Sequence, residues 1–267
     1  MSFMNEGFSG SLFGGVAGDA GQGTTDVDYI RSTPVPINIG GITAGTYTPS
    51  STIQAVLDAI LYPYQNPTVS LTSNVATSTR QKGLDAIDGM TLTATCTKKS
   101  SPLLKVEFYM GDTLLDTQEY VDTNVFTYEY TGTVADTTTF SAKVYDNKSK
   151  TGTSSLTYNF YYPNFSAVTT NEVLDVTMDE VASGTMRLEA KANKTLTFTG
   201  TMARYIFCYP ASWGTLSSIV DNSGYEYINS FQRVSLTYTS GTDSVLMYAY
   251  ISKTSATLSS YKYTFKF

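Results

Sequence analysis

Period-two alternation recurs through the last 180 or so residues of the chain, and it leaves few folds open. GMTLTATC (89–96) sets Met90, Leu92, Ala94 and Cys96 on one side and threonines on the other. LLKVEFYM (103–110) places Leu104, Val106, Phe108 and Met110 opposite Lys105, Glu107 and Tyr109. The same rhythm returns at Phe126/Tyr128/Tyr130, at Phe140/Ala142/Val144 and at Leu156/Tyr158/Phe160/Tyr162. A strand with one oily face must cover it with a second layer, so the pattern predicts stacked sheets and not helices. Roughly seven short strands over about 95 residues is the count of an immunoglobulin-like sandwich. The antibody-type Cys…Trp…Cys spacing is absent. Gly111-Asp112 is the expected hairpin turn between two of these strands, glycine first.

Residues 164–267 alternate in the same way, in TLTFTG, RYIFCYP, RVSLTYT, VLMYAYIS and YKYTFKF. The last sets Tyr261, Tyr263, Phe265 and Phe267 on one face, which predicts a final strand built into a sheet. Residues 172–190, EVLDVTMDEVASGTMRLEA, read equally as a short helix or as two strands. The fold class expected is mainly β. It comprises an arm over 1–30, an extended segment and short helix over 31–66, an immunoglobulin-like sandwich over 67–163, and a second β-sandwich-like domain over 164–267.

One stretch breaks the rhythm. In IQAVLDAILYPYQNP (53–67), Ile53, Val56, Leu57, Ile60 and Leu61 recur at helical spacing and form one stripe. Ser51 with Gln54 makes a capping box, and Pro63 stops the helix at Tyr62. About a dozen residues do not hold a helix alone in water. The stripe must be covered by a sheet or by copies of itself, with roughly 5–10 kcal/mol from burial before ordering costs. Upstream, residues 1–30 are glycine-rich, with Phe3, Phe8, Leu12 and Phe13 as scattered anchors. Such a chain is flexible alone and is expected to order against a partner or a neighbouring subunit.

Composition excludes several functions. There is no histidine, which removes Ser-His-Asp and Cys-His catalysis and imidazole metal sites. The net charge is −6 and the longest basic run is Lys98-Lys99, so no nucleic acid partner is expected. No apolar run approaches the roughly 20 residues that span a bilayer, and the N-terminus lacks a signal-peptide pattern. The expectation is synthesis in a cytoplasm and no membrane partner. Cys96 and Cys208 fall in different predicted domains and read as buried thiols.

Candidate sites are few. GDAGQGTTD (18–26) has phosphate-loop glycines without the Lys-Ser/Thr ending. Asp26, Asp28, Asp175, Asp179 and Glu180 offer oxygens to calcium without a known spacing, and no cofactor is expected. A carboxylate pair for glycoside cleavage needs a separation that sequence does not supply. Tyr205, Phe207 and Tyr209 have strand spacing and read as core. Trp213, Tyr225 and Tyr227 lie in or beside turns and are the candidates for contact with a sugar or a protein.

Two segments resemble known modules. PVPINIGGITAGTYTPSSTIQAVLDAILYPY (34–64) resembles a module of bacteriophage and prophage virion proteins, with its glycine pair, short helix and Leu-Tyr-Pro-Tyr ending. KTLTFTGTMARYIFCYPASWGTLSSIVDNSGYEYINSF (194–231) resembles a second module of such proteins, with Trp213 where tyrosine is usual. FSAKVYDNKSKTGTSSLTYNF (140–160) is similar to the last hairpin of bacterial immunoglobulin-like domains. The resemblance implies a non-enzymatic structural or appendage protein, tail or fibre, of phages infecting gut bacteria. It implies other virion proteins as partners and a homo-oligomer, a trimer above all, with Ile53, Val56, Leu57, Ile60 and Leu61 as the assembly helix. A receptor-binding adhesin gripping a host surface glycan and a head-decorating or head-fibre protein are the alternatives.

Overall fold

The computed structural model describes residues 60–171 and 174–267, together with the backbone pairing of two short strands further upstream. Those two, β1 (Asp28–Tyr29) and β2 (Ser51–Thr52), pair antiparallel, Asp28 opposite Thr52. The chain is mainly β, as its alternation requires, with one complete short helix among the described residues.

The first sandwich closes from two sheets. Strands β3 (Thr68–Ser73), β5 (Ile87–Thr97) and β8 (Val125–Val134) form one, in the order β3-β5-β8. Strands β6 (Leu103–Met110), β7 (Thr113–Glu119), β9 (Thr138–Asp146) and β10 (Thr151–Tyr158) form the other, in the order β10-β9-β6-β7. This three-plus-four division is a seven-stranded sandwich of the kind that immunoglobulin and fibronectin domains share. Leu92, Ala94, Val106, Phe108, Phe140, Ala142, Val144 and Tyr158 are fully covered between the sheets. Gly111 adopts φ +56° in the two-residue turn between β6 and β7, a region glycine enters without a Cβ penalty.

Alternation misplaces one residue. Leu103 enters the core and Leu104 points out, because a bulge between Leu103 and Lys105 shifts the register by one. On the outward face of β6, Glu107 is nonetheless only 7% exposed. It accepts hydrogen bonds from Lys105 Nζ at 2.6 Å, Tyr109 OH at 2.5 Å and Tyr145 OH at 2.8 Å. Burial pushes its carboxyl up, but these donors outweigh burial and bring it down to about 2. A carboxyl lowered on folding stabilises fully above its unfolded value and loses that contribution as pH falls through its folded one. The window therefore runs from about pH 4.5 down to about pH 2. Urea unfolding at pH 7 and pH 2.5 should show Glu107→Gln weaker than the parent at the first, with most of that gap closed at the second. An equal gap at both pH values would show that the charge plays no part.

The C-terminal domain is built around one strand. Strand β14 (Lys194–Pro210) is 17 residues long and takes part in two sheets. Its first half pairs with β18 (Ala256–Lys266), which also pairs with β15 (Ser218–Asp221). Its second half pairs with β12 (Asn164–Thr169) on one side and β17 (Asp243–Ser252) on the other. Strands β13 (Thr185–Arg187) and β16 (Phe231–Ser240) form the edges of that second sheet. Register shifts between Phe198 and Ala203, with Met202 at φ +48°, bend the strand from one sheet into the other.

The segments TLTFTG and RYIFCYP, expected as separate strands, are thus two halves of one. Burial records the change: Leu196 and Phe198 alternate with exposed threonines, whereas Tyr205 to Pro210 are buried on both faces. One face of the second half carries Tyr205, Phe207 and Tyr209 against Phe265 and Ile219. The other carries Ile206 and Cys208 against Phe165, Met247 and Val181. Val181 comes from α1 (Met178–Ala182), capped by Thr177 and Glu180 as a reciprocal box. Residues 174–190 therefore hold a short helix followed by a strand, a combination of the two readings. Cys96 and Cys208 are both buried and free, and burial pushes their thiols up to about 11 and about 12.

Strands β4 (Arg80–Gln81) and β11 (Phe160–Tyr161) pair in parallel where the two domains meet. There Gln81 Nε2 donates to Ser240 Oγ and to Tyr238 OH, both at 3.0 Å. Ser240 Oγ donates onward to Lys82 O at 2.5 Å, and Tyr162 OH to Asp243 Oδ2 at 2.7 Å. Gly83 and Gly241 touch backbone to backbone: a Cβ on Gly241 would overlap the Gly83 carbonyl, and one on Gly83 the Ser240 carbonyl. The tip of the β16–β17 hairpin is thereby pinned to the sandwich at a second point beyond the covalent linker.

Candidate functional site

The turn aromatics expected to contact a ligand occupy one side of the C-terminal domain, around β15 and β18. Trp213 ends a short 3-10 turn, Ala211–Trp213, that leaves β14 after Pro210. Its ring stacks on Tyr209 at 5.7 Å and meets Phe267 edge-on at 5.4 Å, with Lys194 Nζ 5.9 Å above it. Tyr209 OH donates to Gly214 O at 3.1 Å, fixing the turn to the core. Trp213 is half-buried and much of its ring is occupied by these neighbours.

Tyr227 is also half-buried and packs edge-on against Tyr263 at 5.5 Å. Tyr225 is 69% exposed. The rings that hold Trp213 and Tyr227, Phe267 and Tyr263, lie four residues apart on one face, roughly 13 Å along the strand direction. The three candidates therefore share a side of the domain but do not form one platform.

Two carboxylates build the loop that presents Tyr225. Asp221 Oδ1 accepts from the backbone N–H groups of Ser223 at 2.8 Å and Tyr225 at 3.0 Å, and Oδ2 from Tyr261 OH at 2.6 Å. Glu226 Oε1 accepts from Ile219 N at 2.9 Å, Tyr227 N at 3.1 Å and Ile228 N at 2.8 Å, and Oε2 from Ser218 Oγ at 2.5 Å. The Tyr261 hydroxyl, against the pull of burial, holds Asp221 below the ordinary carboxylate range. Ser218 and three backbone donors do the same for Glu226. Both groups are ionised acceptors spent on backbone donors, a geometry that fixes a loop in place. Asp221-Asn222-Ser223-Gly224 is a turn signal in the sequence itself, whereas Glu226 reaching back across β15 carries no local signature.

Other candidates are placed as follows. Glu180 accepts from Thr177 N at 2.9 Å and from Asn171 Nδ2, and Asp175 and Asp179 are exposed. Asp26 and the glycine loop 18–26 lie outside the described residues. Of the assembly helix, Ile53, Val56 and Leu57 also lie outside them. Ile60 and Leu61 are helical and exposed, followed by exposed Tyr62. Tyr64 OH donates to Asp146 Oδ2, and Gln65 N to Ser100 Oγ at 2.8 Å, tying the end of this segment to the sandwich. No helix among the described residues is long and apolar enough to cross a membrane.

No known protein-family model matches the chain, and no curated protein is similar to it. Among solved structures it is similar to the fibronectin(III)-like modules of Clostridium thermocellum CbhA. The likeness is 18% identity over 36% of this chain and 96% of that one, with a TM-score of 0.26. Similarity of that extent carries no inference about function.

Proposed function

We propose that the chain is a non-enzymatic structural protein of a phage particle, a tail or fibre component that joins or projects from other virion proteins. The observation that carries this reading is the apolar segment ahead of the first sandwich. Ile60, Leu61 and Tyr62 remain exposed, whereas most other large apolar side chains among the described residues lie in the cores of the two domains. Apolar side chains at the close of this segment that the sandwich leaves uncovered are a contact for something else. The two virion-type sequence modules flanking the sandwich support the same reading, as does the pinned domain junction, which suits a projecting element. Leu57→Asp with Leu61→Asp should reduce the particle in solution to a single chain, measured by light scattering. An assembly unchanged in mass would remove the helix from its construction. Mass spectrometry of purified phage should find the chain among the particle proteins, and its absence there would overturn the reading.

The adhesin reading draws on one specific observation, Tyr225 held out to solvent on a loop stiffened by Asp221 and Glu226. A rigid aromatic is a low-entropy contact for a sugar face. A host-glycan array probed with the full chain and with Tyr225→Ala tests it. Binding that the substitution lowers about tenfold supports an adhesin, and a blank array sets it aside.

A further inference from the structure

The two ends of the first sandwich differ in character. One end meets the C-terminal domain through Gln81 and Gly83. At the other end β5, β7 and β9 finish and β6, β8 and β10 begin, and there the exposed apolar side chains gather. Leu104 is the second residue of β6, Val121 follows β7 and Val125 opens β8, while Tyr64 is bonded to Asp146 at the close of β9 and so brings Leu61 and Tyr62 to the same end. Val121 is 78% exposed and Tyr62 77%. Together Leu61, Tyr62, Leu104, Val121 and Val125 leave on the order of 500 Å² open, the upper range of the largest patch on an ordinary monomer.

The loops between these side chains are basic. Lys98, Lys99, Lys148 and Lys150 are all exposed, and none forms a salt bridge among the described residues. Among the described residues, Glu119 and Asp122 in the adjoining β7–β8 turn are the exposed acids that oppose them. A second copy of the same end would bring lysine against lysine. An acidic partner with spaced apolar anchors fits better.

Residues 1–27 of this chain have that chemistry. They hold Glu6, Asp19 and Asp26, no lysine or arginine, and Phe3, Phe8, Leu12 and Phe13 between glycines. At full extension they span up to about 90 Å, well past the length of one sandwich. We propose that this end of the first sandwich is the docking surface for the N-terminal arm of a second copy of the chain. The proposal rests on the appendage reading and gives that assembly its contact: arm aromatics against Leu104, Val121 and Val125, and arm carboxylates against the lysines. Head-to-tail contacts of this kind propagate from copy to copy, closing into a ring where the rotation allows.

The test uses two variants of the full chain, one lacking residues 1–27 and one carrying Leu104→Asp with Val121→Asp, both at exposed positions. Thermal melting checks that each folds as the parent does. Light scattering at micromolar concentration should give an assembly for the parent and single chains for each variant alone. A mixture of the two should recover a pair of twice the mass, since one supplies the arm and the other the surface, and salt should weaken it. Variants that still assemble alone, or a mixture that stays single, would overturn arm exchange. A monomeric parent would overturn it too, yet a monomer found in purified phage would leave the appendage reading standing.

Discussion

Phe207→Ala should destabilise the C-terminal domain by about 3–5 kcal/mol, the usual cost of emptying an aromatic site in a close-packed core. Phe207 has no exposed surface, lies 4.7 Å from the ring of Phe265 and 5.0 Å from that of Tyr209, and sits in the doubly covered half of β14. Its backbone is paired on both sides, with Ser166 and with Tyr250, so the site has little freedom to collapse onto the cavity. For a domain of this size the melting temperature should drop by on the order of 20 °C. Calorimetry of the full chain is the measurement. A drop below about 5 °C would mean that the two sheets are not held together through this strand. Thr197→Ala, on the exposed face of the first half of the same strand, should move the transition by less than about 0.5 kcal/mol.

The second large effect concerns the junction. Gly241→Val should release the hairpin tip from the sandwich, because its Cβ overlaps the Gly83 carbonyl and its φ of +57° resists a β-branched side chain. Released, Gln81 exchanges its bonds to Ser240 and Tyr238 for water, giving up about 0.5–1.5 kcal/mol for each. The two domains should then melt in separate steps and sample a wider range of angles in small-angle X-ray scattering. Hydrogen exchange at Lys82 and Thr242 should quicken at least tenfold. A variant with one cooperative transition and unchanged scattering would show that the linker alone sets the geometry.

Much of the fold was legible because alternation is a local signal. Leu92/Ala94, Phe140/Ala142/Val144 and Tyr263/Phe265 could be assigned to the core from their spacing alone, and the structure buries all of them. The same rule failed where a strand stops being regular. Leu104 looked like core because a bulge leaves no mark in the alternation before it. Gly200-Thr201-Met202 looked like a break between strands, yet it is a bend within one. At the candidate site, the core role of Tyr205, Phe207 and Tyr209 followed from their spacing. The partial burial of Trp213 did not, since it depends on Phe267, a residue from a strand far along the chain. Gln81 and Ser240 are 159 positions apart, and nothing local ties an amide in one loop to a hydroxyl on a distant hairpin.

That hairpin contact has a consequence for whatever the far domain presents. Two bodies joined by a single thread can swivel about it, whereas two attachment points suppress rotation about the long axis. The azimuth of the loop bearing Tyr225 is then inherited from the sandwich. Copies gathered side by side would hold their tyrosines out at fixed spacing, so that individually feeble touches on a repetitive surface act in concert, with gains of about 10²–10⁴ where the spacings match. A loosely hinged version of the same chain would forfeit most of that gain without altering a single residue that does the touching.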